Sequence, residues 1–68
     1  MDKLGQTIAL RRQQLGMTIE SLAKEAGLSM SALSNIERGL QEPRVSTIIK
    51  LAKALHISPA DIILEAAD

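Results

Sequence analysis

Residues 18–38 read TIESLAKEAGLSMSALSNIER, and this stretch decides the fold. Thr18 and Ser29 each stand just before a helix-forming segment, where a hydroxyl can cap the first backbone N–H groups. Only Gly27 and Leu28 separate the first segment from Ser29, and glycine accepts the left-handed conformation that ends many helices. Two short helices joined by so tight a turn are typical of a helix-turn-helix.

The same punctuation continues on both sides of this stretch. Gly16 and Gly39 also follow helix-forming segments and predict the ends of two helices. Towards the C-terminus, i, i+3, i+4, i+7 spacing predicts an amphipathic helix that ends near Leu55, with an apolar face formed by Val45, Ile48, Ile49, Ala52 and Leu55. Ser58 then offers a cap and Pro59 a first helical position, so a fifth helix is expected from Pro59 to about residue 65.

Composition restricts the possible classes of protein. The chain has 68 residues, no cysteine, no aromatic residue and 46% hydrophobic residues, which predicts one all-α domain spanning residues 1–68 with an aliphatic core. With one histidine and no thiol, we expect no metal site, no cofactor and no catalytic centre. The longest aliphatic run is residues 62–64, so we expect no membrane segment and a cytoplasmic location. The formal net charge of zero is the one feature that argues against binding to nucleic acid, because nucleic-acid-binding domains are usually basic.

The third helix carries a polar stripe of unusual composition. At i, i+3, i+4, i+7 spacing it contains Ser31, Ser34, Asn35 and Arg38. A solvated helix face normally carries Lys and Glu, whereas short hydrogen-bonding side chains suit contact with base edges. Asparagine can pair with adenine through two hydrogen bonds, and Met30 can touch a thymine methyl group. The stripe by itself is equally compatible with a merely soluble surface.

From Leu4 to Leu64 the chain resembles the DNA-binding domains of lambdoid phage repressors, of Cro proteins and of related XRE-type bacterial regulators. The resembling positions are Ile8, Arg12, residues 15–18, 22–29 and 33–39, Pro43 and residues 51–55. The resemblance implies a compact five-helix bundle whose second and third helices form the helix-turn-helix. It also implies sequence-specific binding of double-stranded DNA by a transcriptional regulator rather than an enzyme.

Roles follow from the resemblance position by position. The positions that match base-reading residues are Met30, Ser31, Ser34 and Asn35. The positions that match DNA phosphate contacts are Thr18, Arg12, Arg38 and Arg44. Arg12 and Glu37 also match an ion pair that joins the first helix to the recognition helix.

The chain departs from the family pattern at three positions. Ile19 stands where a glutamine is common, and its spacing with Leu22 and Ala26 suggests that it packs inward. His56 stands where relatives have glycine after the fourth helix, and histidine tolerates the left-handed conformation expected there. Arg44 replaces a serine that often caps the fourth helix.

The C-terminal helix carries three consecutive apolar residues, which cannot all face one core. We therefore expect Ile63 and Leu64 to form a dimer interface. The expected function is that of a homodimeric repressor that reads an inverted repeat through the major groove, with no small-molecule ligand and no membrane partner. Two alternatives stay open: a protein-interaction module on the same scaffold, or the N-terminal DNA-binding domain of a longer, ligand-responsive regulator.

Overall fold

The computed structural model describes residues 3–67, and within them the chain forms five α-helices and no strand. The helices are α1 (Leu4–Gln14), α2 (Ile19–Ala26), α3 (Met30–Glu37), α4 (Val45–Ala54) and α5 (Pro59–Ala67). This confirms the all-α, five-helix class, and α5 continues two residues beyond the predicted end. No helix in this part of the chain is long and apolar enough to cross a membrane.

The predicted N-terminal caps are confirmed. The Thr18 hydroxyl accepts a hydrogen bond from the backbone N–H of Ser21 at 3.0 Å, and the Ser21 hydroxyl accepts one from the N–H of Thr18 at 3.0 Å. Ser29 and Ser58 each accept from the N–H three residues later, at 3.0 and 3.1 Å. Arg44 begins α4 without a side-chain cap, as its replacement of serine implied. Hydroxyl caps therefore set the starts of α2, α3 and α5.

The predicted helix ends are confirmed as well. Gly16, Gly27 and Gly39 have φ angles of +71°, +73° and +78°. His56 follows α4 with φ +58° and is the one non-glycine residue in the described range with a positive φ. The turn between α2 and α3 depends on Gly27, because a Cβ atom is disfavoured in this conformation.

Every helix contributes to one aliphatic core. Helix α1 packs against α3 and α5, α2 packs against α3 and α4, and α4 packs against α5. The largest fully buried side chains are Ile8, Leu22, Leu33, Ile36, Leu51 and Ile62. Each such side chain contributes about 1.5–3 kcal/mol relative to an exposed one, so the core stabilises the bundle although the chain has no cysteine to form a disulfide.

One part of the sequence prediction for α4 is wrong. The buried side chains at this helix are Ile48, Leu51, Ala52, Ala54 and Leu55. Val45 and Ile49, which were expected on the apolar inner face, are 73% and 49% exposed. Residues advance by about 100° around a helix, so the burial of Leu51 and Ala54 turns the inner face away from Val45 and Ile49. These two side chains form an apolar flank on the surface.

Helices α1 and α3 approach each other closely at Gly5. A Cβ atom on Gly5 would lie 2.1 Å from the carbonyl oxygen of Ile36 and 3.0 Å from that of Glu37. Both obstacles are backbone atoms, which cannot move aside as the end of a flexible side chain can. Glycine is therefore required at this position for packing, although it lies inside a helix where alanine is the better helix former.

We predict that Gly5→Ala destabilises the fold. Helix propensity alone favours alanine by about 1 kcal/mol, whereas the added methyl group forces α1 and α3 apart at a cost of up to about 3 kcal/mol. A net loss should appear in urea unfolding followed by far-ultraviolet circular dichroism. Gln6→Ala, at an exposed neighbouring position, should change stability little, and a Gly5→Ala variant as stable as Gln6→Ala would contradict the close approach.

Candidate nucleic-acid interface

The structure brings the four predicted base-reading residues together on the outer face of α3. Met30 is 52% exposed, Ser31 is exposed, and Ser34 and Asn35 are half-buried. A shallow surface depression is lined by Ile19, Met30, Ser31, Ser34, Asn35 and Arg38. The protein's own helices do not cover this face, so it is open to a partner molecule.

The polar side chains on this face have no internal partners. Within residues 3–67, Ser31, Ser34 and Asn35 make no side-chain hydrogen bond or ion pair. The hydroxyls of Thr18 and Ser29, by contrast, both accept hydrogen bonds as helix caps. Polar groups left without partners around a depression keep their full capacity to bond to a ligand or to water.

The opposite side of α3 fixes the helix to the core. Leu33 and Ile36 are almost completely buried, and Ala32 is half-buried. This arrangement confirms the predicted division of α3 into an apolar inner side and a polar outer side. Because the inner side is packed, the outer side chains are presented from a rigid element, as precise recognition requires.

Arg12 joins α1 to the end of α3 through an ion pair with Glu37. Arg12 Nε lies 2.8 Å from Glu37 Oε2 and Arg12 Nη2 lies 3.1 Å from Glu37 Oε1, so the ion pair is bidentate. Arg12 Nη1 also donates to the carbonyl oxygen of Met17 at 2.8 Å. The side chains are only 13% and 7% exposed. All three guanidinium nitrogens of Arg12 therefore have partners inside the protein, and we leave Arg12 out of the phosphate contacts proposed below.

The other three residues expected at phosphates are exposed. Arg38 directly follows α3 and Arg44 directly precedes α4, so they flank the loop of residues 39–43. The side chain of neither residue has a hydrogen-bond or ion-pair partner in the range that the structure describes. Thr18 lies at the N-terminus of α2, and its hydroxyl, while accepting from Ser21, keeps its own hydrogen to donate. Arg38 also lines the depression on α3, and all three side chains are open to solvent.

Sequence reasoning missed the contact that fastens α5 to α1. Arg11 Nε donates to Glu65 Oε1 at 3.1 Å, and Arg11 Nη2 is paired with Glu65 Oε2. Hydrogen bonding to Arg11 lowers the pKa of Glu65, and the same bond raises the pKa of Arg11. The stabilisation is therefore present above the ordinary carboxyl range and is lost as the pH falls through the lowered pKa of Glu65. No motif marks this pair in the sequence, because the partners are 54 residues apart.

A family model described as helix-turn-helix matches residues 8–62. The chain belongs to this family. A relative from Sinorhizobium fredii, the uncharacterized HTH-type transcriptional regulator y4dJ, is 35% identical over 60 residues, which are 88% of this chain and 78% of that protein. Several longer HTH-type regulators match the same region, and this chain spans 30–50% of their length.

Solved structures give the same assignment. The clp gene regulator ClgR from Corynebacterium glutamicum superposes with a TM-score of 0.93 at 33% identity, over 97% of this chain and 70% of that one. The DNA-binding domain of the P22 C2 repressor superposes with a TM-score of 0.85 at 35% identity, over 88% of this chain and 79% of that one. The resemblance to phage repressors and the fold it implied are confirmed.

We predict that Glu37→Gln destabilises the chain by roughly 3 kcal/mol, because it leaves the largely buried guanidinium of Arg12 without a counter-charge. The substitution keeps the shape of the side chain, so the loss reports the charge. The free energy of unfolding is measured in urea by circular dichroism, since the chain has no aromatic fluorophore.

Glu65→Gln serves as the matched control, because it breaks the exposed pair with Arg11 by the same chemical change. Its loss should be smaller and should shrink with added salt, since exposed pairs are screened. Equal losses from both variants would show that the Arg12–Glu37 pair has no special weight in holding α1 to α3.

Proposed function

We propose that this protein binds double-stranded DNA in a sequence-specific manner and acts as a transcriptional repressor. The observation that carries the proposal is the outer face of α3, where Ser31, Ser34 and Asn35 are accessible and have no internal partner. The relatives support it, since y4dJ is described as a transcriptional regulator and the P22 C2 domain as DNA-binding. A target on chromosomal DNA implies a cytoplasmic location.

In this proposal α3 lies in the major groove, which is about 12 Å wide and admits one helix. Asn35 donates to and accepts from the edge of an adenine, and Ser31 and Ser34 bond to neighbouring bases. Met30, at the first position of α3, makes an apolar contact. The hydrogen bonds specify sequence because the major groove shows a different pattern of donors and acceptors for each base pair.

In this proposal the DNA phosphate backbone is contacted by Arg38, by Arg44 and by the N-terminus of α2 at Thr18. Their contacts set the register of α3 without reading sequence. Zero net charge is compatible with this role, because charges separated by more than about 8–10 Å are largely screened at ordinary salt concentrations. The acidic residue Glu65 is, in addition, paired with Arg11.

We further propose that two copies pair through α5. Leu64 is 68% exposed and Ile63 is 40% exposed. The Arg11–Glu65 pair turns Glu65 toward α1, and helical geometry then places Ile63 on the opposite flank of α5. A symmetric pair sets two recognition helices about 34 Å apart, the spacing of successive major grooves, and so reads an inverted repeat.

Selection from a pool of random duplexes tests the proposal, and Asn35→Ala tests the readout. We expect an enriched palindrome, and we expect Asn35→Ala to weaken binding to it by about 1–3 kcal/mol while leaving binding to random DNA nearly unchanged. Affinities are measured by fluorescence anisotropy of a labelled duplex.

Lys53→Ala is the control for Asn35→Ala, because Lys53 is exposed at a separate depression beside Glu25 and His56. It should leave the preference between the palindrome and random DNA unchanged. Equal losses of Asn35→Ala on both DNAs would remove Asn35 from the readout. If no duplex is enriched at all, the DNA-binding proposal is overturned and the alternative of a protein-interaction module is favoured.

We predict that Leu64→Glu abolishes pairing, because it places two like charges at the proposed symmetric contact. Folding should survive, since Leu64 is mostly exposed. Sedimentation should change from dimer to monomer, and affinity for the palindrome should approach that for a single half-site. The control is Leu10→Glu, which changes an exposed leucine on α1 instead of α5 and should leave the dimer intact. A Leu64→Glu variant that is still a dimer would show that the copies pair through another surface, and a monomeric wild-type chain would overturn the pairing itself.

A further inference from the structure

One corner of the depression on α3 is apolar and is built from two helices. Ile19 is the first residue of α2 and Met30 is the first residue of α3, and both line the depression that also holds Ser34 and Asn35. Ile19 is half-buried and packs against the core, so its position is fixed. Met30 is 52% exposed and projects from the first turn of α3.

The corner is chemically unlike the rest of the face. Isoleucine has no hydrogen-bonding group in its side chain, and the thioether of methionine is only a weak acceptor. A base edge with a strong donor or acceptor placed against them would lose its bond to water and gain none, which is unfavourable. The corner therefore selects for whatever apolar group the major groove displays.

The major groove displays one such group, the methyl group on C5 of thymine. We infer that Ile19 and Met30 together recognise the C5-methyl group of a pyrimidine at one position in each half-site. The inference rests on the proposed DNA binding and deepens it, since it names the chemical group that this corner accepts. The flexible side chain of Met30 can adapt to a methyl group, whereas Ile19 is held in place by its packing against the core.

The same chemistry extends to a modified base. A contact that senses only the methyl group accepts 5-methylcytosine as well as thymine and disfavours both cytosine and uracil. Cytosine and 5-methylcytosine present the same N4 donor to the groove, so a comparison between these two bases isolates the methyl group. Methylation of a cytosine at this position should therefore raise the affinity of the site.

The test uses the enriched palindrome, with thymines replaced one symmetric pair at a time by deoxyuridine. This change removes only the methyl group. Burying one methyl-sized group changes affinity about fourfold. At one position, the affinity for the duplex should therefore fall about fourfold for each half-site. At the other positions the affinity should be almost unchanged. At that position, 5-methylcytosine should bind more tightly than cytosine.

Two variants assign the effect to its residues. Met30→Ala and Ile19→Ala should each reduce the ratio between the thymine and deoxyuridine duplexes towards one, whereas Leu10→Ala, exposed on α1, should keep the wild-type ratio. A ratio of two affinities within one variant is independent of the fraction folded. The readout therefore remains valid if Ile19→Ala, which packs against the core, is less stable.

The outcomes separate this inference from the proposal beneath it. If a palindrome is bound but no thymine is sensitive to loss of its methyl group, the inference is overturned and the DNA-binding function stands. If one thymine is sensitive and both alanine variants retain that sensitivity, the methyl group is read elsewhere and the inference again fails. If no duplex is bound, both fall together.

Discussion

The geometry of α3 depends on the way its final turn is held against α1. Two contacts lie there. The backbone of α1 at Gly5 lies against the carbonyl oxygens of Ile36 and Glu37. Arg12 donates two hydrogen bonds to the carboxylate of Glu37. The first contact fixes the separation of the helices and the second fixes their rotation. At the other end, the Ser29 cap fixes the start of α3. A helix held at both ends keeps its outer face in one orientation.

The chain divides its polar groups between two tasks. The capping hydroxyls at helix starts accept hydrogen bonds from backbone N–H groups, whereas the hydroxyls on the outer face of α3 accept no hydrogen bond from the described part of the protein. The arginines divide in the same way: Arg11 and Arg12 are paired with carboxylates, whereas the side chains of Arg38, which lines the depression, and of Arg44 have no partner in the described residues. Net charge hides this division. A neutral protein can present a locally cationic surface when its acidic side chains are paired or distant from it.

The apolar side chains are also divided between the core and the surface. A core without aromatic residues uses leucine, isoleucine and alanine from all five helices. The large apolar side chains left outside include Leu64 on α5 and Val45 and Ile49 on one flank of α4. Solvent exposure of a single leucine needs no explanation. Leu64 belongs to the proposed dimer contact, and the apolar corner at Met30 is the proposed contact for a methyl group on a base.

Local signals in the sequence determined the five helices, their caps, their left-handed ends and the inner and outer sides of α3, because these features depend on residues within one or two turns of each other. Helical spacing located the polar face that contains Asn35, and the family resemblance implied its role in reading bases. Only the tertiary structure decided which side of α4 is buried, that Gly5 must be glycine, and that Arg11 pairs with Glu65. It also showed that Ile19 both packs on the core and borders the depression. Each of these depends on how helices distant in sequence are placed side by side, which periodicity within a single helix does not encode.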